Sequence, residues 1–147
     1  MAPDLITDSA PAGMLSYNLA GSQARAQAVL AAWSGSARER ALLFLGLDYL
    51  YLCIYPAFIS LGCARLALSL FDLAPRLAAL GKYLSWLVLA AGGFDAVENY
   101  ALIRQLLTAP SELWAQVAWW CALPKFGLPL IGLGYLLAGY AIRLTKS

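Results

Sequence analysis

In 147 residues the chain carries ten basic and eight acidic side chains, a net charge of +2, against 62% hydrophobic residues. Its 12% charged content is about half that of an ordinary soluble domain and, with a mean hydropathy of +0.70, places the chain in the membrane class. So small a net charge, with no basic stripe, excludes a nucleic-acid partner, and the absence of histidine excludes His-ligated haem, His-containing zinc sites and imidazole acid–base chemistry.

Residues 1–15 are rich in Pro, Ala, Asp and Ser and read as a flexible N-terminal segment. A single helical membrane domain is expected over 16–147. The first 35 residues lack a basic start followed by an apolar core, so the first spanning helix is expected to direct insertion. Over 16–33, Leu19, Ala26, Leu30 and Trp33 fall on one helical face, with Gln23 and Arg25 turned away. That pattern predicts an amphipathic helix lying on the membrane surface or against the rest of the domain.

Ser36, followed three residues later by Glu39, is a capping-box signature. It opens a first span over 41–64, in which Pro56 predicts a kink whose freed carbonyl a neighbouring helix must cover. A semi-amphipathic connector broken at Pro75 follows. The second span, 83–103, lies between Lys82 and Arg104 as interfacial anchors. "TAPSE" at 108–112 is a turn, with Ser111 as a helix cap.

The last apolar stretch, 113–142, exceeds one straight span. It is either one tilted or kinked helix, broken near Pro124 and Pro129, or an interfacial segment to Leu123 and then the span proper. Trp114, Trp119 and Trp120 mark the headgroup level and set the span at about 117–142. Gly132 and Gly139, seven apart, share a face suited to close packing. The expected fold class is an all-α integral membrane protein, with about three transmembrane helices and an N-terminal amphipathic helix in a small bundle.

The candidate site comes from polar residues inside these spans. Asp95, Glu98 and Asn99 are spaced i, i+3 and i+4 and so share one helical face. Asp48, Tyr51 and Tyr55 share a face of the first span by the same spacing, and the last span contributes Lys125. At 1.5 Å per residue Asp48 lies roughly 10 Å deep, Asp95 and Glu98 roughly 12 and 8 Å, and Lys125 roughly 12 Å. Three segments thus offer ionisable groups at one level.

Two acids near a helix centre cost about 5–7 kcal/mol, whereas the eight Leu, Ile, Val and Phe residues of that span return about 2.5–5 kcal/mol. The second span therefore needs partners for its acids. Paired charges and acid–tyrosine hydrogen bonds could serve only to lock helices in register. Three acids against one lysine exceed that need and point to a proton, a cation or a cationic headgroup. The all-oxygen donor set would suit a hard cation rather than zinc, but no metal centre is assigned. Cys53, Cys63 and Cys121 form no C-x-x-C pair and sit in apolar stretches as small hydrophobes. No cofactor is expected.

With "GLDYLY" at 46–51, the D-x-x-E-N of Asp95, Glu98 and Asn99, and the "KF" of Lys125 and Phe126, the chain resembles a loosely defined set of small bacterial membrane proteins over about residues 24–140. The resemblance implies a multi-pass protein of a bacterial inner membrane and lends no activity. Three functions fit the residues. The first is a pocket that binds or passes a proton, a cation or a lipophilic ligand's headgroup, built from Asp48, Tyr51, Tyr55, Asp95, Glu98, Asn99 and Lys125. The second is a non-catalytic accessory subunit of a larger membrane complex, meeting its partner subunit or a second copy through the N-terminal helix and the glycine face of the last span. The third is an intramembrane enzyme whose paired carboxylates act as acid and base on a lipid or isoprenoid. Membrane lipids are partners in all three.

Overall fold

The computed structural model describes residues 3–146, so Met1 and Ala2 of the N-terminal segment expected to be flexible lie outside the described residues. A short 3-10 turn at Pro3–Leu5 precedes five helices: α1 (Met14–Asn18), α2 (Gln23–Ala32), α3 (Ser36–Ser69), α4 (Pro75–Leu107) and α5 (Glu112–Lys146). An isolated bridge between Thr7 and Ala10 is the sole β feature among the described residues. The protein is all-α, and α3, α4 and α5 are each long and apolar enough to cross a membrane.

Each long helix is longer than the span read from its hydropathy. At 1.5 Å per residue they reach roughly 50 Å against a hydrocarbon core of roughly 30 Å. The connector expected over 65–82 is mostly helix: α3 runs on to Ser69, and α4 starts at Pro75. Pro75 suits a first helical position because no intrahelical bond is asked of its nitrogen. α5 is one helix through Pro124 and Pro129 rather than a broken one. Outward-facing side chains are large and apolar, among them Phe58, Leu68, Leu137 and Leu144, each at least 75% exposed. Such a surface suits lipid and would be a liability in water.

The chain divides into two compact units, Met1–Tyr51 with Phe94–Leu123, and Leu52–Gly93 with Pro124–Ser147. In the first unit, an apolar core joins Leu5, Ala10, Tyr17, Val29, Leu30 and Trp33 to Leu45, Leu102 and Ala118. The expected helix over 16–33 is two helices, because Gly21 turns the chain in the left-handed region at φ 68°. A side chain there would also meet the Trp119 indole at 3.2 Å. Ser22 caps α2 by accepting from the Arg25 N–H. Arg38 donates to the Leu30 and Trp33 carbonyls at the other end of α2, where a cation complements the helix dipole.

Residues 3–15 are tied to this core, contrary to the flexibility their composition suggests. Leu5 and Ala10 are buried, the Trp33 indole N–H donates to the Leu5 carbonyl at 3.0 Å, and Asp4 pairs with Arg40 at 2.7 Å. The expected Ser111 cap is present, its hydroxyl accepting from the Trp114 N–H.

In the second unit, Cys63, Leu66, Leu70, Ala78, Leu84 and Tyr135 form the core. Gly132 and Gly139 lie where α5 meets its neighbours. A Cβ on Gly132 would approach Val88 to 2.9 Å and Ile59 to 3.0 Å, and one on Gly139 would collide with Leu66. The glycine face expected to serve a partner subunit is thus filled by the chain's own α3 and α4. Pro56 frees the Leu52 carbonyl, four residues earlier, from intrahelical bonding. Gly92 of α4 covers it: a Cβ there would lie 3.1 Å from that oxygen and 3.0 Å from the proline ring.

Candidate functional site

The first unit gathers most of the polar residues picked out in the sequence. The inward face of α4 carries Asp95, Glu98 and Asn99, with exposures of 1%, 0% and 0%. The i, i+3, i+4 spacing that groups them also continues to the apolar Leu102 and Leu106, which anchor the same face in the core. Packing of those leucines therefore fixes the rotation of α4 and turns the acids inward. Asp95 and Glu98 are each held by at least one polar or electrostatic contact.

Asp48 of α3 joins this face. Its Oδ2 accepts from the Asn99 side-chain Nδ2 at 2.9 Å, a bond that ties two long helices together at a carboxylate. One residue on, the Tyr49 hydroxyl donates to the Ala96 carbonyl at 3.1 Å. Tyr49 is thereby a bridge between helices, within electrostatic range of Asp95. Tyr51 is 59% exposed and faces mainly outward. Cys121 of α5 lies within electrostatic range of Glu98, a neighbour that its apolar sequence context did not signal.

Tyr55 and Lys125 belong to the second unit. Tyr55 is half-buried there. Lys125 is buried, with its ammonium 5.3 Å from the centre of the Phe126 ring, a cation–π distance.

Sequence reasoning missed Gln105. It is 1% exposed, and its Nε2 donates to the Ala101 carbonyl at 3.4 Å. Seven residues beyond Glu98, it falls on the same helical line, so the spacing held the signal. Asn18, at the end of α1, is a second buried amide outside the expected set.

Beside it, Tyr17 is buried and its hydroxyl donates to the Leu102 carbonyl at 3.0 Å, one turn beyond the acids. Burial pushes the Tyr17 phenol above its ordinary range, partly opposed by the Arg38 guanidinium. Among the described residues no three Cys, Asp or Glu side chains are arranged to hold a metal ion. No protein-family model, curated protein or solved structure matches the chain.

Proposed function

We propose that the protein takes up a proton, or the cationic headgroup of a lipophilic ligand, inside a membrane. Asp95 and Glu98 form the charged centre, and Asp48 with Asn99 forms its hydrogen-bonding frame. One observation carries this reading: two carboxyl groups a single helical turn apart, each at most 1% exposed, on a helix able to cross a membrane. Two such charges roughly 5–6 Å apart repel by about 3 kcal/mol at an effective dielectric of about 20. Each also resists insertion by about 2.5–3.5 kcal/mol. A purely structural face is served as well by apolar residues of similar volume. A centre that accepts positive charge relieves both costs.

Tyr55 and Lys125 stay outside the proposal. A bacterial inner membrane is the setting proposed from the resemblance of the short motifs.

The test is native mass spectrometry of gently solubilised protein, with infrared difference spectra of the carboxyl band against pH. Wild type is expected to show either a stoichiometric small-molecule adduct or a titrating buried carboxyl signal. Asp95→Asn and Glu98→Gln are expected to remove it while preserving helix content. Retention of a second polypeptide by wild type and both variants, with no adduct and no carboxyl signal, would move the reading to an accessory subunit whose acids are scaffold.

A further inference from the structure

At one end of the second unit α3 stops at Ser69, α4 begins at Pro75 and α5 runs out to Lys146. α3 and α5 meet there, since a side chain on Gly139 would run into Leu66 and Leu70. Between the start of α4 and the end of α5 lies an open groove of about 790 Å³, lined by Ala74, Pro75, Arg76, Leu77, Leu80 and Ile142. Its volume is that of a small-molecule site. Arg76 is the sole charged or polar side chain in this lining, and the rest are apolar.

The level of the groove in a membrane follows from α4. The apolar run read from its sequence begins at Tyr83, so Leu80 and Arg76 stand roughly 5 and 10 Å before it along the axis. The headgroup layer on each side of the hydrocarbon is roughly 5–8 Å deep. The leucine end of the groove therefore borders hydrocarbon. The Arg76 guanidinium, on a long stem that can reach back towards the membrane, stands at the level of lipid phosphates. An apolar wall ending in one cation at that level has the amphipathic pattern of a membrane lipid.

Charge selects which lipid. Over 65–82 and 139–145 this end of the unit carries Arg65, Arg76, Lys82 and Arg143 against Asp72 as its one acid. Among the described residues, none of the four basic side chains is engaged in an ion pair or hydrogen bond. A zwitterionic headgroup would bring its own ammonium into this excess of positive charge, whereas an anionic headgroup adds no cation. Basic clusters at a membrane surface draw anionic lipids for that reason. We propose that the groove seats one anionic phospholipid, with its phosphate at Arg76 and an acyl chain along Leu77, Leu80 and Ile142. The planar guanidinium suits two phosphate oxygens at once. The site belongs wholly to the second unit and does not rest on the proposed carboxyl centre.

The experiment is native mass spectrometry of the delipidated chain in mild detergent, supplied with phosphatidylglycerol or with phosphatidylcholine of the same acyl chains. Wild type is expected to retain one phosphatidylglycerol per chain, about fivefold or more above phosphatidylcholine. Arg76→Gln is expected to weaken that retention about fivefold, the effect of one basic residue at an anionic surface. Leu80→Trp keeps every charge and fills the groove from a position already 48% exposed, and it is expected to lower phosphatidylglycerol retention by a similar factor. Arg25→Gln removes a cation from the first unit and is expected to leave retention unchanged. Circular dichroism checks that each variant keeps its helix content. Equal retention of the two lipids by wild type overturns the proposal. So does an equal loss in Arg25→Gln and Arg76→Gln, which would make the preference a matter of net charge. Undiminished retention in Leu80→Trp overturns it too, by placing the lipid outside the groove.

Discussion

Asn99 gives its amide N–H to Asp48 and holds its amide oxygen in a fully buried position, so one side chain fixes both a helix contact and the polarity beside Glu98. Replacing it by Leu, close in volume, strips Asp48 of a charge-assisted bond while removing a buried oxygen that costs energy. The first effect is the larger, because the acceptor left behind is a carboxylate. Asn99→Leu is therefore expected to lower stability by about 1–3 kcal/mol, read as an earlier midpoint in detergent-titrated unfolding. Tyr17 gives the complementary pH signature. Its phenol ionises near its ordinary value of 10.0 once unfolded but higher when folded, so the unfolded state loses its proton first. That contribution is complete below pH of about 10 and is lost as pH rises through the unfolded value towards the folded one. Tyr17→Phe should flatten the alkaline fall in thermal midpoint while lowering stability at neutral pH by about 1 kcal/mol for the lost bond to Leu102.

At the scale of elements, the three long helices were legible because each carries an apolar run that no soluble helix would expose. Their ends were not, since the helices continue into sequence polar enough for headgroups. Hydropathy stops where hydrocarbon stops; helical hydrogen bonding does not. The polar face of α4 was legible from spacing alone, yet Gln105 escaped because it lies two turns past the acids in a stretch that reads as a helix terminus. The break at Gly21 escaped because the pattern over 16–33 is nearly helical throughout and only the contact with Trp119 demands a turn. Pro56 was foreseen as a kink needing cover, and Gly92 supplies it. A methyl group there would have to displace either a backbone carbonyl or a proline ring, neither of which moves easily. Gly92→Ala is accordingly expected to cost about 1–3 kcal/mol, although alanine is the better helix former by about 1 kcal/mol. A gain in thermal midpoint would show that α3 can slide aside.

For the molecule as a whole, the N-terminal segment behaves as a lid on the first unit. Trp33 is its keystone: 1% exposed, edge-on to Tyr17 at 5.4 Å, and hydrogen-bonded to Leu5. Trp33→Ala is expected to cost about 3–5 kcal/mol and to render residues 3–32 protease-sensitive while the long helices retain their far-UV signal. Equal protease resistance in the variant would mean that the lid is held elsewhere. None of this was readable from composition, because Pro, Ala and Ser describe a disordered tail equally well. What orders them is contact with residues far along the chain.

That distance sets an order of events during synthesis. The Tyr17 hydroxyl waits for the Leu102 carbonyl, 85 residues later, and the Gln23 N–H waits for the Glu112 carboxylate, 89 residues later. A ribosome adding about 5–20 residues per second therefore leaves the first-made part of the chain undocked for roughly 4–18 seconds. During that interval Val29, Leu30 and Trp33 have only the part of their core that precedes α4, and lack Ala101, Leu102, Leu106 and Ala118. Residues 17–23 thus complete their long-range hydrogen bonds only after Glu112 has been made.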